Sequence, residues 1–276
     1  MVESLSQRVY RTVGPHIVTL SCVQKHASIP KPKLLIFSGF LVDVDDVWFY
    51  VTAGHILHDV RAAQNAGATF DIWRLSDYTA GARYEGKAIP YDFQIDNWIQ
   101  IYDESRGLDY AAVPISDLYR RQLEAGNAAP IDRQAWGTYI DKHDSWVLAG
   151  IPSESIEYDD VTMIKARVVI APLCPATEPQ GAEEKAENQF FAAFADDPSA
   201  FVEDIDGMSG APIFSLRKDG DVWKYSVIGV QSGWYKQSKI LAVCPFSSFG
   251  EALEDIVREA KKLYAEIQAA EPNSAD

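Results

Sequence analysis

The pentapeptide Gly207-Met208-Ser209-Gly210-Ala211 is the stretch of this 276-residue chain best suited to chemistry. A serine hydroxyl barely ionises at neutral pH. It becomes a nucleophile only when a general base lies beside it and N–H donors face the oxyanion that forms. The flanking glycines permit backbone angles that turn neighbouring amides inward. The pattern therefore indicates a nucleophile at Ser209, with an ordinary glycine-rich turn as the alternative.

Two upstream segments place a histidine and an aspartate at strand ends. In residues 49–55 an apolar strand ends in small residues and then His55, and in residues 108–115 Asp109 directly precedes an apolar run. A buried carboxylate is costly unless it is hydrogen-bonded. The N–H of an imidazole would supply that bond, so we expect His55 and Asp109 to pair.

The three segments resemble the motifs of trypsin-like (chymotrypsin-fold) serine peptidases. VTAGH resembles the family's histidine motif, LDYAAVPI its aspartate motif and GMSGAP its GDSGGP serine motif, in the family's order. The resemblance covers roughly residues 10–246. It implies that His55 is the general base, that Asp109 orients it and that Ser209 attacks the carbonyl. It also implies an oxyanion hole formed by the backbone amides of Gly207 and Ser209.

Chain order separates this interpretation from two rivals. An α/β-hydrolase needs its histidine after the nucleophile. All five histidines precede Ser209, and Ala211 occupies the last glycine position of the G-x-S-x-G elbow. A subtilisin-like order would need Asp43, Asp45 or Asp46 as its acid, and these residues lie in a predicted hairpin turn.

The spacing His55-x-x-His58-Asp59 raises the hypothesis of a metal site. Two histidines three apart can share a helical face, but zinc needs three or four ligands and no third ligand is evident. We therefore expect no metal and no cofactor, with His58 on a short helical turn.

The segment Ser232-Gly233-Trp234 resembles the family's strand that pairs with substrate backbone, and a peptide would add to it as a further strand. The alternative is a plain core strand.

Counting six residues before Ser209 reaches Glu203, where trypsin carries an acid on the floor of its specificity pocket. An acid there implies preference for Lys or Arg before the scissile bond. Asp204 and Asp206 are competing candidates, and a solvent-facing loop is the other alternative.

Composition agrees with a globular protein that acts on polypeptide. Apolar residues make up 47% of the chain, and the net charge of −15 argues against nucleic acid as a partner. No apolar run is long enough to span a membrane, and the first residues lack a signal-peptide core. The three cysteines are odd in number and lie in apolar sequence, and Ile56 stands where secreted animal relatives carry a cysteine. These features predict buried thiols and a cytoplasmic, bacterial protein.

Met208 replaces the aspartate that captures a new N-terminus in zymogen-activated relatives. Activation by that route is therefore not expected, and control by a regulatory protein partner is a hypothesis. Two functions remain: an active serine endopeptidase, and a catalytically silent interaction module with the same fold.

Strand signals dominate to about residue 246, and the resemblance implies two six-stranded antiparallel β-barrels. We expect the first barrel over residues 10–120, carrying His55 and Asp109, and the second over residues 130–246, carrying Ser209. An apolar stripe with helical period predicts a helix over residues 247–270, packed on the second barrel.

Overall fold

The computed structural model describes residues 5–28, 31–77, 88–159, 163–195, 205–220 and 222–270. Antiparallel β-strands rich in β-branched and aromatic residues are the predominant secondary structure, with one long helix at the C-terminal end. The predicted fold class, all-β with a C-terminal helix, is confirmed.

The first half of the chain forms one seven-stranded antiparallel sheet in the order β5-β4-β1-β2-β3-β7-β6. Its strands are β1 (Ile17–Lys25), β2 (Lys33–Val44), β3 (Val47–Thr52), β4 (Thr69–Asp77), β5 (Ile89–Pro90), β6 (Ile99–Asp103) and β7 (Leu108–Pro114). Within the described residues the end strands β5 and β6 do not pair with each other. This half therefore differs from the six-stranded barrel that was expected.

Two aspartates, Asp45 and Asp46, form the turn between β2 and β3. Asp45 and Asp46 both have positive φ, 50° and 69°, which is the conformation of a two-residue type I′ hairpin. The backbone N–H of Asp46 also donates to the Asp43 carboxylate at 2.9 Å. The aspartates considered for a subtilisin-like order thus form a turn.

The second half forms a closed six-stranded antiparallel barrel in the order β11-β12-β15-β14-β13-β8. Its strands are β8 (Ser145–Gly150), β11 (Val169–Ala176), β12 (Phe190–Phe194), β13 (Pro212–Asp219), β14 (Val222–Tyr235) and β15 (Ile240–Pro245). A separate hairpin joins β9 (Glu157–Asp159) to β10 (Met163–Lys165). This hairpin lies between β8 and β11 along the chain and is not part of the barrel.

Four α-helices lie in the described part of the chain. They are α1 (Leu5–Val13), α2 (Gly54–Asn65), α3 (Asp117–Ala125) and α4 (Phe246–Ala270). Helix α3 connects the first sheet to the barrel. His58 lies on α2, a helix of 12 residues, where the sequence predicted only a short turn.

The apolar stripe of α4 is buried only in its first half. Leu253 and Val257 are buried, whereas Leu263, Tyr264 and Ile267 are 58%, 64% and 51% exposed. The prediction that the whole stripe packs on the second barrel is therefore wrong for its last turns.

One apolar core joins the two halves of the chain. Phe40 and Phe49 of the first sheet share it with Phe214 and Val227 of the barrel and with Phe246 of α4. Burying a large apolar side chain stabilises a fold by about 1.5–3 kcal/mol. This shared core fixes the first sheet against the barrel, where the candidate site lies.

Two findings bear on the environment of the protein. Within the described part of the chain, every helix is too short or too polar to cross a membrane. All three cysteines are free thiols, and Cys22 and Cys244 are buried, but Cys174 is exposed. The expectation of three buried thiols is therefore wrong for Cys174.

Candidate active site

Two hydrogen bonds fix His55 on Asp109. The imidazole Nδ1 lies 2.7 Å from one carboxylate oxygen, and the backbone N–H of His55 donates to the other oxygen at 2.7 Å. The carboxylate thus lies at the N-terminus of α2, where backbone N–H groups favour a negative charge. Because an ionised carboxylate only accepts, the neutral imidazole carries its proton on Nδ1 and has its lone pair on Nε2.

Gly54 allows this close approach. A Cβ at this position would lie 2.8 Å from the carbonyl oxygen of Tyr110 and 3.2 Å from Asp109 Oδ1. The carbonyl oxygen of Gly54 also accepts a hydrogen bond from Gln100 Nε2 at 2.7 Å. The glycine of the VTAGH segment therefore lets strand β7 come close enough for the Asp109 carboxylate to reach His55.

A third donor completes the shell of Asp109. The hydroxyl of Ser232, on β14 of the barrel, donates to Asp109 Oδ2 at 2.7 Å. Asp109 is only 4% exposed, and charge-assisted hydrogen bonds offset the cost of burying its charge. The sequence suggested Ser232 only as a residue that contacts substrate, whereas the structure places its side chain on the acid.

The electrostatic environment of His55 favours the protonated imidazole. Burial by itself lowers the pKa of His55, but the hydrogen bond to Asp109 and the charges of Asp109, Asp59 and Glu104 outweigh burial and raise the pKa above its ordinary value. The imidazole is thus a stronger base than a solvated histidine.

Ser209 is the second residue of the second of two successive tight turns, 205–208 and 208–211. Met208 N–H donates to Ile205 O at 2.9 Å, and Ala211 N–H donates to Met208 O at 2.9 Å. The third residue of each turn is a glycine with positive φ, 89° at Gly207 and 85° at Gly210. This combination identifies type II turns.

The two turns leave a pair of backbone donors unused. Among the hydrogen bonds of the described residues, none involves the N–H of Gly207 or of Ser209. The N–H of Gly210, in contrast, donates to Gln231 O at 2.8 Å. The turns therefore offer the two donors that an oxyanion would need.

Strands of the first sheet hold the turns in place. A Cβ on Gly210 would lie 2.6 Å from Ser38 O and 2.8 Å from Ala53 N. Thr52 Oγ1 donates to Ser38 O at 2.7 Å, and Ser38 Oγ donates to Gly207 O at 3.1 Å. The serine turn thus packs against the residues that directly precede His55.

The structure does not join Ser209 to His55 by a hydrogen bond. Among the described residues the Ser209 hydroxyl has no hydrogen-bond partner, and the side chain is partly exposed. Nucleophile–base hydrogen bonds are often long before substrate binds. The site therefore holds His55 and Asp109 in contact, with Ser209 on an adjacent turn.

The end of β14 provides an open strand edge. Pairing of β13 with β14 ends at Val230, whereas pairing of β14 with β15 continues through Gly233 and Trp234. On the side away from β15, Ser232–Tyr235 has no strand partner in the described part of the chain. An extended peptide can pair there.

The structure describes only one of the three acids that were predicted as candidates for the pocket floor. Glu203 and Asp204 lie outside the described residues. Asp206 is exposed, and its carboxylate lies 3.2 Å from Lys236 Nζ. Glu203 as a pocket floor stays a prediction.

The described residues contain no group of three or more side chains that could hold a metal ion. The ring of His58 instead lies 5.1 Å from that of Tyr102, measured between centroids.

Three residues that hold the site were missed in the sequence: Ser38, Thr52 and Gln189. Gln189 Nε2 donates to Ser232 Oγ at 3.3 Å. Polar residues inside otherwise apolar strands are the available signal, because a buried polar group needs a partner.

No family model matches the chain, and no curated protein matches it in sequence. Solved structures do match. A thermostable serine protease, AL20, from an extremophilic microorganism is 16% identical, with 87% of this chain and 95% of that chain covered and a TM-score of 0.46. An inactivated protease paralogue of the scabies mite is 14% identical, with 89% and 95% covered and a TM-score of 0.49. The catalytically active tobacco etch virus protease, complexed with product, is 10% identical, with 89% and 78% covered and a TM-score of 0.45. At these identities, the roles of residues in this chain rest on its own geometry.

Proposed function

We propose that this protein is a serine endopeptidase that cleaves peptide bonds with His55, Asp109 and Ser209 through an acyl-enzyme intermediate. The observation that carries the proposal is the hydrogen bond between His55 Nδ1 and Asp109 Oδ2. It fixes the tautomer in which Nε2 can accept a proton, beside a turn that presents a serine.

In the first step Ser209 Oγ attacks the carbonyl carbon of the scissile bond, and its proton passes to His55 Nε2. The free N–H groups of Gly207 and Ser209 stabilise the oxyanion. The C–N bond then breaks and the imidazolium gives its proton to the leaving amine. In the second step water attacks the acyl-enzyme, with His55 again as base, and releases the carboxylic acid and Ser209.

Substrate backbone is proposed to pair with Ser232, Gly233 and Trp234 at the open edge of β14. The turn that carries Ser209 adjoins this edge, because Gly210 N–H donates to Gln231 O. Strand addition would satisfy the main-chain groups of both partners. Cytoplasmic location and control by a protein partner stay predictions from the sequence.

One observation favours a second candidate, a catalytically silent interaction module. The Ser209 hydroxyl has no hydrogen bond to His55 among the described residues. If this separation persists when a peptide binds, the site would bind polypeptide without cleaving it.

A fluorophosphonate probe separates the two functions, because it phosphonylates a serine only when a base and an oxyanion hole assist the attack. We expect the wild-type protein to be labelled at Ser209. Labelling and casein cleavage should both disappear in Ser209→Ala, which removes one small hydroxyl and leaves the fold intact, and in His55→Ala. A folded wild-type protein that is not labelled would favour the silent module.

A further inference from the structure

A cleft of about 410 Å³ lies beside the imidazole of His55 and runs along the open edge of β14. Its walls come from both halves of the chain: α2 and the β6–β7 turn on one side, and the start of β12 and the end of β14 on the other. Its lining includes Asp59, Tyr102, Glu104, Lys185, Gln189 and Trp234.

The charge of this cleft is predominantly negative. Asp59 forms no ion pair with any described residue, and Glu104 is 77% exposed, with Lys185 Nζ 3.9 Å from its Oε1. Among the described lining residues Lys185 is the sole cation, apart from the titratable His55. A positive side chain in the cleft would therefore meet more negative than positive charge.

A buried acceptor in the wall is a second, independent sign of a ligand. Gln189 is only 7% exposed, and its Oε1 has no hydrogen-bond partner among the described residues. Its Nε2 donates a hydrogen bond to Ser232 Oγ. An acceptor left unpaired in a buried position is unfavourable, and a ligand N–H that reaches it would remove this cost.

The direction of the open edge indicates which part of a peptide enters the cleft. The turn of Ser209 adjoins Gln231, and β14 then runs from Ser232 to Tyr235 along the cleft. The ladders of this barrel are antiparallel. A peptide that pairs antiparallel with β14 would pass Tyr235 first and reach Ser209 afterwards. The peptide residues in the cleft therefore lie on the amino-terminal side of the scissile bond.

We infer that this cleft binds an arginine or lysine side chain on the amino-terminal side of the scissile bond, which makes basic peptides the substrate class. The inference rests on the proposed function for its description of the substrate. Asp59 and Glu104 attract the charged group, Gln189 Oε1 accepts from it, and Tyr102 and Trp234 flank its apolar stem.

Peptide binding tests the inference without catalysis. In the Ser209→Ala background, fluorescence anisotropy compares a labelled hexapeptide of four arginines flanked by alanines with the same peptide containing citrulline. Citrulline keeps the shape of arginine and lacks the charge. Four consecutive residues place an arginine in the cleft in either strand register. We expect the arginine peptide to bind about tenfold more tightly, since two exposed carboxylates and a hydrogen bond each contribute modestly.

Two sets of variants separate the cleft from the general charge of the protein. Asp59→Asn with Glu104→Gln should remove most of the preference. Lys185→Met should increase it, because the competing cation is gone. The matched control, Glu251→Gln with Glu259→Gln, removes two exposed acids of α4 and should leave most of the preference.

The possible outcomes are distinct. Equal binding of the arginine and citrulline peptides would overturn the inference, as would an equal loss in the cleft and α4 variants. Fluorophosphonate labelling of the wild-type protein measures the reactivity of Ser209 independently of peptide binding. Labelling without a preference for arginine rejects only the cleft inference. A preference for arginine that depends on Asp59 and Glu104, without labelling, supports the cleft and rejects catalysis.

Discussion

The hydroxyl of Ser38, in the first sheet, donates to the carbonyl oxygen of Gly207, 3.1 Å away in the serine turn of the barrel. The same hydroxyl accepts the backbone N–H of Ile151 at 3.0 Å. Ser38 is fully buried. One side chain of the first sheet therefore positions a peptide unit that adjoins the proposed oxyanion hole.

Replacing Ser38 with alanine should impair both stability and reactivity. The change leaves Gly207 O and the N–H of Ile151 without a partner, which costs about 1–3 kcal/mol. We expect slower fluorophosphonate labelling of Ser209 and a lower midpoint of unfolding in urea. Ser248→Ala is the control, because that residue is exposed and its hydroxyl donates to Pro245 O at the long distance of 3.5 Å. A Ser38→Ala protein labelled at the wild-type rate would show that the turn is fixed by other contacts.

Gly210 should tolerate alanine far less than Gly220 does. Both have positive φ, 85° and 62°, and a left-handed conformation costs a residue with a Cβ about 1–2 kcal/mol. A Cβ on Gly210 would also collide with Ser38 O and Ala53 N, whereas no atom of the described residues lies within 4 Å of a Cβ on Gly220.

Urea unfolding of the two variants, Gly210→Ala and Gly220→Ala, separates backbone strain from collision. We expect the loss of stability in Gly210→Ala to exceed that in Gly220→Ala, with labelling of Ser209 lost only in Gly210→Ala. Equal losses in the two variants would mean that strain alone matters.

Asp109→Asn should reduce turnover by about 10⁴-fold. The Asp109 carboxylate accepts three hydrogen bonds, from His55 N–H, His55 Nδ1 and Ser232 Oγ. In asparagine an NH₂ group replaces one of the two acceptor oxygens, so at least one of these donors loses its acceptor. The side chain then no longer favours the tautomer with a proton on His55 Nδ1. Peptide hydrolysis by purified variants provides the measurement. Asp96→Asn changes an exposed aspartate that pairs with Arg61 and serves as the control. A nearly normal rate for Asp109→Asn would point to another orienting acid.

Activity should rise with pH through the titration of His55, because only the neutral imidazole accepts the serine proton. Asp59 and Glu104 both raise the pKa of His55. Asp59→Asn with Glu104→Gln should therefore shift the acid limb of the kcat/KM profile to lower pH. An unshifted limb would show that Asp109 alone sets this pKa.

The same pKa shift links His55 to stability, with the opposite pH dependence. The pKa of His55 is higher in the folded protein than in the unfolded chain, so the folded state binds the proton more tightly. Its contribution to stability is fully present below the unfolded pKa and is lost as pH rises through the folded pKa. The difference in urea stability between wild type and His55→Ala should accordingly shrink as activity appears. A difference that grows with pH would contradict this assignment.

The contact between His55 and Asp109 could be predicted from the sequence, because His55 follows the apolar strand β3 by three residues and Asp109 is the second residue of β7, where a buried carboxylate needs a donor. The strand alternation and the turn at Asp45 and Asp46 are also local signals. Such patterns depend on neighbours within a few residues, and they indicate where a strand begins or ends and which residue lies there.

The contacts that join distant segments could not be predicted in this way. Ser38 and Gly207 are 169 positions apart, and nothing near either residue in the sequence indicates the other. The position of β6 (Ile99–Asp103) depends on distant residues in the same way, since this short strand is fixed by its pairing with β7. Burial of the α4 stripe depends likewise on how far the barrel extends beneath the helix.

Asp109 receives hydrogen bonds from both halves of the chain, from His55 in one and from Ser232 in the other. If the barrel unfolded alone, this carboxylate would lose a donor, and if the first sheet unfolded, Ser232 would lose its acceptor. Each partial unfolding therefore carries a penalty that complete unfolding does not, in addition to exposure of the shared apolar core. The Asp109 carboxylate thus couples the two halves of the chain, which favours their folding and unfolding together.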